Sequence, residues 1–233
     1  MIKAICFDFF NTISYYEPSR EQVYIEACRK HGIELDPAKV SQSLAKADIY
    51  WRNENKRLRR AGRFGSLKKF SFYLEYVARV VNGSGVRINR LIALDVLLHM
   101  RRIKWKFKLF DDVIPTLRDL KAKGYITGII SNVDQDFKST FGNLGFLQFV
   151  DIVVTSMEAG CDKPSPEIFK LALDKAGVQA EEAIYIGDQF EQDILGARNV
   201  GMQAILIDRY NLSTRVIDSH RISSLDQISE YIQ

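Results

Sequence analysis

Apolar and polar positions change rhythm twice along the chain. Residues 2 to 7, Ile-Lys-Ala-Ile-Cys-Phe, form a short apolar run that leads straight into Asp8-Phe9-Phe10-Asn11-Thr12. Such a run predicts a buried strand with a carboxylate at its C-terminal end. From about residue 18 to 108 the apolar positions recur at spacings of three and four, as in Val23 and Ala27, Ile25 and Cys28, or Leu67, Phe70, Leu74 and Val77. That period belongs to helices. Pro18-Ser19-Arg20-Glu21 and Asp36-Pro37 supply helix starts, while Gly62, Gly65 and Asn82-Gly83-Ser84-Gly85 mark loops. The region therefore reads as a bundle of four or five helices.

After it, short apolar strands alternate with amphipathic helices. Strands are predicted at 125–130, 152–155, 183–186 and 204–207, and helices at 113–123, 138–144, 168–176 and 193–199, several of them closed by a glycine such as Gly124, Gly177 or Gly201. Alternation of this kind implies a parallel sheet covered on both faces, an α/β architecture of the Rossmann-like, doubly wound type. Because the first strand precedes the helices and the others follow them, the all-helical segment is an insertion. The expected division is a sheet core of residues 1–14 and 111–233 and a helical cap of residues 15–110.

Charge sharpens that division. The chain carries a net charge of +4, yet residues 15 to 110 hold 21 Lys/Arg against 9 Asp/Glu, and the rest hold 12 against 20. The basic residues include Arg52, Lys56, Arg57, Arg59 and Arg60, then Arg101, Arg102, Lys104, Lys106 and Lys108. Runs like these serve as solvated helix faces, or as a field that draws an anionic substrate toward an acidic site. Nucleic-acid recognition lacks any recognisable module or zinc spacing. The three cysteines, Cys6, Cys28 and Cys161, are far apart and suit neither a disulfide framework nor a metal site, so a reducing, cytoplasmic setting is expected. No apolar stretch approaches the ~20 residues that span a bilayer, and Met1 runs directly into the first strand without a signal segment.

The polar residues of interest all fall just past strand ends, where open α/β sheets place their chemistry. Asp8 leaves the first strand, Ser131 and Asn132 the next, Lys163 follows the third in Cys161-Asp162-Lys163-Pro164-Ser165-Pro166, and Asp188 leaves the fourth with Asp193 five residues on. Taken singly, Ser131 and Thr12 read equally well as turn residues and Lys163 as a solvated lysine. In their order and spacing, however, they resemble the four motifs of the haloacid dehalogenase-like (HAD) hydrolases, over essentially the whole chain. The resemblance implies an aspartate nucleophile, Asp8, which divides a hard hydrolysis into formation and breakdown of a covalent intermediate. It implies Ser131 and Lys163 on the transferring group, Thr12 fixing the loop after the nucleophile, and Asn132 beside the substrate. It also implies Mg²⁺ held by Asp8, by the backbone carbonyl of Phe10 and by Asp188, with Asp193 acting near the metal, and a small anionic substrate.

Phe10 departs from the phosphatase pattern. Two residues past the nucleophile, family phosphatases carry an acid that protonates the leaving oxygen, worth about 10²–10⁴ in rate. In the related 2-haloacid dehalogenases that position is aromatic, and Tyr50-Trp51-Arg52 resembles the cap segment whose arginine contacts substrate there. Asp188 and Asp193 point the other way, because those dehalogenases work without metal. The leading expectation is a Mg²⁺-dependent phosphatase of a small phosphorylated metabolite. The rivals are a 2-haloacid dehalogenase and a non-catalytic binding descendant of the fold.

Overall fold

Strand β1 (Ala4–Phe7) sits in the middle of a six-stranded sheet because its every side chain is apolar and fully buried. In the computed structural model, which describes residues 1–60, 66–133, 136–211 and 220–232, β1 pairs in parallel with β4 (Ile126–Ser131) on one side and β6 (Ala183–Gly187) on the other. β5 (Ile152–Thr155) extends the sheet beyond β4, and β7 (Gln203–Ile207) and β8 (His220–Ile222) extend it beyond β6. All these pairings are parallel, so the sheet order is β5-β4-β1-β6-β7-β8. The chain reverses its direction of travel across the sheet at β1, which makes the carboxyl ends of β1 and its neighbours the topological switch point where such sheets bind ligands.

The two faces follow from strand alternation. Ile5, Phe7, Ile184, Ile186, Ile205 and Ile207 point to one face and pack under α5 (Val113–Ala122) through Val113, Leu117 and Leu120. Ala4, Cys6, Ala183, Tyr185, Ala204 and Leu206 point to the other, covered by α8 (Pro166–Ala176), which follows the short helices α6 (Phe137–Phe141) and α7 (Ser156–Ala159), through Ile168, Phe169 and Ala172. Each large apolar side chain removed from water in this way contributes about 1.5–3 kcal/mol. Helix α8 has Pro at its first turn and ends at Gly177, whose φ of +66° suits the left-handed stop that other residues resist.

Two compact units are present, Met1–Tyr15 with Phe107–Gln233, and Tyr16–Lys106. The second is helical: α1 (Arg20–Arg29), α2 (Pro37–Arg60), α3 (Ser66–Gly83) and α4 (Arg90–Met100). Helix α1 starts at Ser19, whose hydroxyl accepts the Gln22 N–H while the Gln22 side chain accepts the Ser19 N–H, a reciprocal capping box. The helices close on Tyr24, Ala27, Val40, Leu44, Val77, Val80 and Val96. Where the chain passes between the units, β2 (Ser14–Glu17) and β3 (Lys106–Leu109) form a separate two-stranded ribbon. Three strands, β2, β3 and β8, were not among the elements expected from the sequence. Each is three or four residues long with few apolar positions, too short to show a period.

Candidate active site at the carboxyl edge of the sheet

Strand pleat and loop chemistry bring four chain-distant polar groups to one point. Asp8 leaves β1 with its N–H donating to the Ile186 carbonyl at 2.8 Å, which keeps it in line with the sheet. The turn after it is tight: the Ile13 and Ser14 N–H groups both donate to the Phe9 carbonyl, the Ser14 hydroxyl adds a third bond at 3.0 Å, and Asn11 takes a φ of +58°. Asparagine tolerates that conformation better than most side chains. From the far side, Lys163 donates from Nζ to Asp8 Oδ1 at 2.6 Å, to Asp193 Oδ1 at 2.7 Å and to the Tyr185 hydroxyl at 2.7 Å, satisfying all three of its protons.

Asp193 is turned inward by a π-helical turn, Phe190–Ile194, that runs into α9 (Leu195–Arg198). Its second oxygen accepts the Gln189 N–H at 2.9 Å. Gly187, the last residue of β6, makes room for it, since a Cβ there would lie 2.4 Å from the Asp193 carboxyl carbon. Asp188 completes the cluster: carboxylate oxygens of Asp8, Asp188 and Asp193 lie within 4.8 Å of one another. Asp188 Oδ2 accepts from Asn11 Nδ2 at 3.3 Å, whereas its Oδ1 is shielded from solvent and has no hydrogen-bond partner among the described residues.

Three carboxylates thus share one ammonium, and the electrostatics follow. Burial pushes the Asp8 carboxyl up to about 6, with the Asp193 charge adding to the rise and Lys163 opposing it. Asp188 stands well above the ordinary carboxylate range, first through burial and then through the charges of Asp8 and Asp193. For Lys163, burial favours the neutral amine, but Asp193 and Asp8 outweigh it and hold the group above its usual value, as an ammonium. The surplus of negative charge and the unpartnered Asp188 oxygen suit a hard divalent cation, which takes oxygen ligands.

A family model described as haloacid dehalogenase-like hydrolase matches residues 2–201. The chain belongs to the haloacid dehalogenase-like hydrolases. It is 25% identical to haloacid dehalogenase-like hydrolase domain-containing protein 3 of Danio rerio, over all of this chain and 97% of that one. It is 31% identical to the glyceraldehyde 3-phosphate phosphatase of Methanopyrus kandleri, over 90% of this chain and 85% of that protein. Among solved structures, a HAD phosphatase from Thermococcus onnurineus matches with a TM-score of 0.56 at 25% identity, covering 99% of this chain and 98% of that one.

In this HAD hydrolase, Ser131 ends β4 beside β1, buried, with its hydroxyl lacking a hydrogen-bond partner among the described residues. The Thr12 hydroxyl is likewise buried and unpartnered among them. Asn132 acts as a strut: its Oδ1 accepts the Lys163 N–H at 2.7 Å, and its Nδ2 donates to the Gln192 side chain at 2.9 Å. The Phe10 ring packs among Phe9, Phe107 and Phe141 at centroid distances of 5.0, 5.6 and 5.9 Å. The Arg52 side chain lies outside the described residues.

Tyr185 and Gln192 went unnoticed in the sequence. Tyr185 lies inside the apolar run Ala-Ile-Tyr-Ile-Gly, where an aromatic reads as core, and its hydroxyl takes the Lys163 bond while lying 3.1 Å from the Ile130 carbonyl and 3.2 Å from Asp193 Oδ1. Alternation was the available signal: counting back from Asp188 places residue 185 on the α8 face of the sheet, the face from which Lys163 enters.

Proposed function

We propose that this protein is a Mg²⁺-dependent phosphatase of a small phosphorylated metabolite, with Asp8 as nucleophile. The observation that carries the reading is the group of three carboxylates, Asp8 and Asp193 buried and paired with Lys163 and Asp188 partly buried beside them, at the switch point of the sheet, with the Asp188 Oδ1, Ser131 and Thr12 oxygens left without protein partners among the described residues. The names of relatives such as glyceraldehyde 3-phosphate phosphatase support the substrate class.

In this reading an Asp8 oxygen attacks phosphorus, the bond to the leaving oxygen breaks, and the leaving group departs with that electron pair. Water then attacks the aspartyl phosphate, its P–O bond to Asp8 breaks, and inorganic phosphate leaves. Lys163 and the Ser131 hydroxyl are assigned to the phosphoryl oxygens, where charge develops. Asp8, Asp188 and the Phe10 carbonyl are assigned as ligands of Mg²⁺, with Asp193 nearby; the bound ion offsets the repulsion between phosphoryl group and carboxylate. The helical unit, through its excess of basic residues and Arg52 in particular, is assigned to the anionic remainder of the substrate. Phe10 offers no proton, so aryl and acyl phosphates should turn over faster than alkyl esters.

The test is phosphate release from a panel of small phosphorylated metabolites, in Mg²⁺ and in EDTA, for the wild type and Asp8→Asn. Metal-dependent release that Asp8→Asn abolishes is expected; release that survives EDTA overturns the metal assignment. A specific observation favours a second reading: the aromatic ring of Phe10 two residues past the nucleophile suits a 2-haloacid dehalogenase, whose halide leaves unprotonated. Halide release in EDTA without phosphate release in Mg²⁺ would select it. Phe10→Asp separates the two, raising alkyl phosphate hydrolysis about tenfold or more in a phosphatase and lowering activity in a dehalogenase, where the new charge repels the substrate carboxylate.

A further inference from the structure

Arg209 lies two residues past β7 at the same edge of the sheet, with its side chain only 6% exposed. Two of its donors, Nε at 3.1 Å and Nη2 at 2.6 Å, converge on one acceptor, the Thr12 carbonyl oxygen. Nη1 faces away and pairs with Asp112 Oδ2. That carboxylate oxygen is itself held by the Ser224 hydroxyl at 2.7 Å and the Leu225 N–H at 2.8 Å, and the Phe110 ring lies 4.1 Å from the guanidinium carbon. Four remote stretches of chain, around residues 12, 110, 209 and 224, thus meet at one carbonyl.

The geometry says what the carbonyl is being held for. The turn from Phe9 to Ser14 is stiff within itself through its bonds to the Phe9 and Ser14 carbonyls, but those bonds do not fix it against the sheet. Its near end is fixed by the Asp8 N–H on Ile186. Its far end is fixed by the Phe110 N–H, which donates to the Ile13 carbonyl at 3.2 Å, and by Arg209, through a planar fork that sets the position and the plane of the Thr12 peptide in a way a point charge cannot. Between these two anchors lie Phe10 and Asn11, whose Nδ2 reaches Asp188. Packing alone does not call for this arrangement, because a buried ion pair is often replaced by apolar residues at no cost to stability.

We infer that Arg209, oriented by Asp112 and Phe110, is a positioning residue that locks the loop carrying Asp8 into its reactive placement. The inference rests on Asp8 being the nucleophile, and the test keeps the two apart. Wild type, Asp8→Asn, Arg209→Met and Arg209→Lys are compared by melting temperature, by p-nitrophenyl phosphate turnover in Mg²⁺ well below melting, and by the ¹⁹F NMR signal of beryllium trifluoride, which mimics a phosphorylated aspartate. Arg209→Met lowers kcat about 10- to 100-fold, the scale of a 1 Å misplacement, with KM within about threefold. Arg209→Lys keeps the charge and the melting temperature, yet loses about fivefold or more in kcat and binds beryllium trifluoride about tenfold more weakly. Should Arg209→Met fail to fold, Arg209→Lys carries the same test. Kinetics and binding within about twofold of wild type in a folded Arg209 variant, with Asp8→Asn inactive, overturn the positioning role and leave the nucleophile in place. Wild type without turnover or beryllium trifluoride binding, or Asp8→Asn as active as wild type, overturns both.

Discussion

In the helical unit, Asp48 takes two bonds from Arg20, at 2.8 and 2.9 Å, and a third from the Tyr76 hydroxyl, which in turn accepts from Arg20. At the carboxyl edge of the sheet, Asp8, Asp188 and Asp193 crowd around Lys163. Both clusters pair carboxylates with a cation, yet the first matches one anion to one cation and the second has three anions beside one. A matched pair explains itself as structure. A surplus adds to the rise that burial gives the carboxyl pKa values, and groups perturbed in this way cluster at functional sites. The Arg209–Asp112 pair shows that the sheet unit also builds matched pairs, so the surplus is local to the site rather than a habit of that unit.

The sharpest way to break the contrast is Lys163→Met. It leaves the buried Asp8 and Asp193, and Asp188 beside them, without their cation, and urea unfolding in EDTA should show a loss of about 3–5 kcal/mol, together with loss of turnover. Unchanged stability would mean that the carboxylates are already neutral. Asp48→Asn strips the matched cluster of its anion. Arg20 and Asp48 are each 32% exposed, so solvent softens the effect to about 1–3 kcal/mol by the same measurement, with phosphate release per folded molecule unchanged.

Asp188→Asn should move stability the opposite way. The folded-state pKa of Asp188 is raised, so the folded protein holds this proton more tightly than the unfolded chain, and stability falls as pH rises above the unfolded value near 4. Neutralising it is expected to add about 1–2 kcal/mol in EDTA at pH 7, nothing below pH 4, and to remove any stabilisation by Mg²⁺. A thermal melt series across pH, with and without the ion, checks all three. Asp112→Asn gives the smallest effect. Burial works against this carboxylate, but Arg209, the Leu225 N–H and the Ser224 hydroxyl hold it below its ordinary range. Its contribution is therefore present above pH 4 and lost as pH falls through the lower, folded value; the variant should cost about 1 kcal/mol at pH 7 and converge on wild type in acid.

Much of this arrangement is readable from the residues alone, for identifiable reasons. Asp8, Lys163, Asp188 and Asp193 come together because each follows a strand of a parallel sheet, and strand ends are the one place where sequence position translates directly into spatial position. Ser131 and Asn132 follow the same rule. Tyr185 escapes it by lying within a strand, where only the pleat says which way a side chain faces. Arg209 escapes it for a different reason: its partners, Thr12 and Asp112, are far away in the chain and share no period or spacing with it. The helix expected at 193–199 is a π-helical turn followed by four α-helical residues, Leu195–Arg198, a widening that turns Asp193 inward and that hydrophobic spacing does not register. The same holds for β2, β3 and β8, whose pairing is set by what lies beside them.

The placement of β1 has a consequence for how the protein is made. Ala4 pairs with Ile126 on one side and Ala183 on the other, so β1, made before the other strands of this sheet, lies inside it and waits for neighbours made much later. At the usual pace of translation, roughly 5–20 residues per second, the interval before β6 leaves the ribosome is on the order of 10–35 s. The helical unit, whose contacts are closer in sequence, can collapse in that time. On a ribosome, then, Asp8 emerges before the residues it meets at the sheet edge, Lys163, Asp188 and Asp193, and a nascent chain halted before β6 has not assembled that cluster.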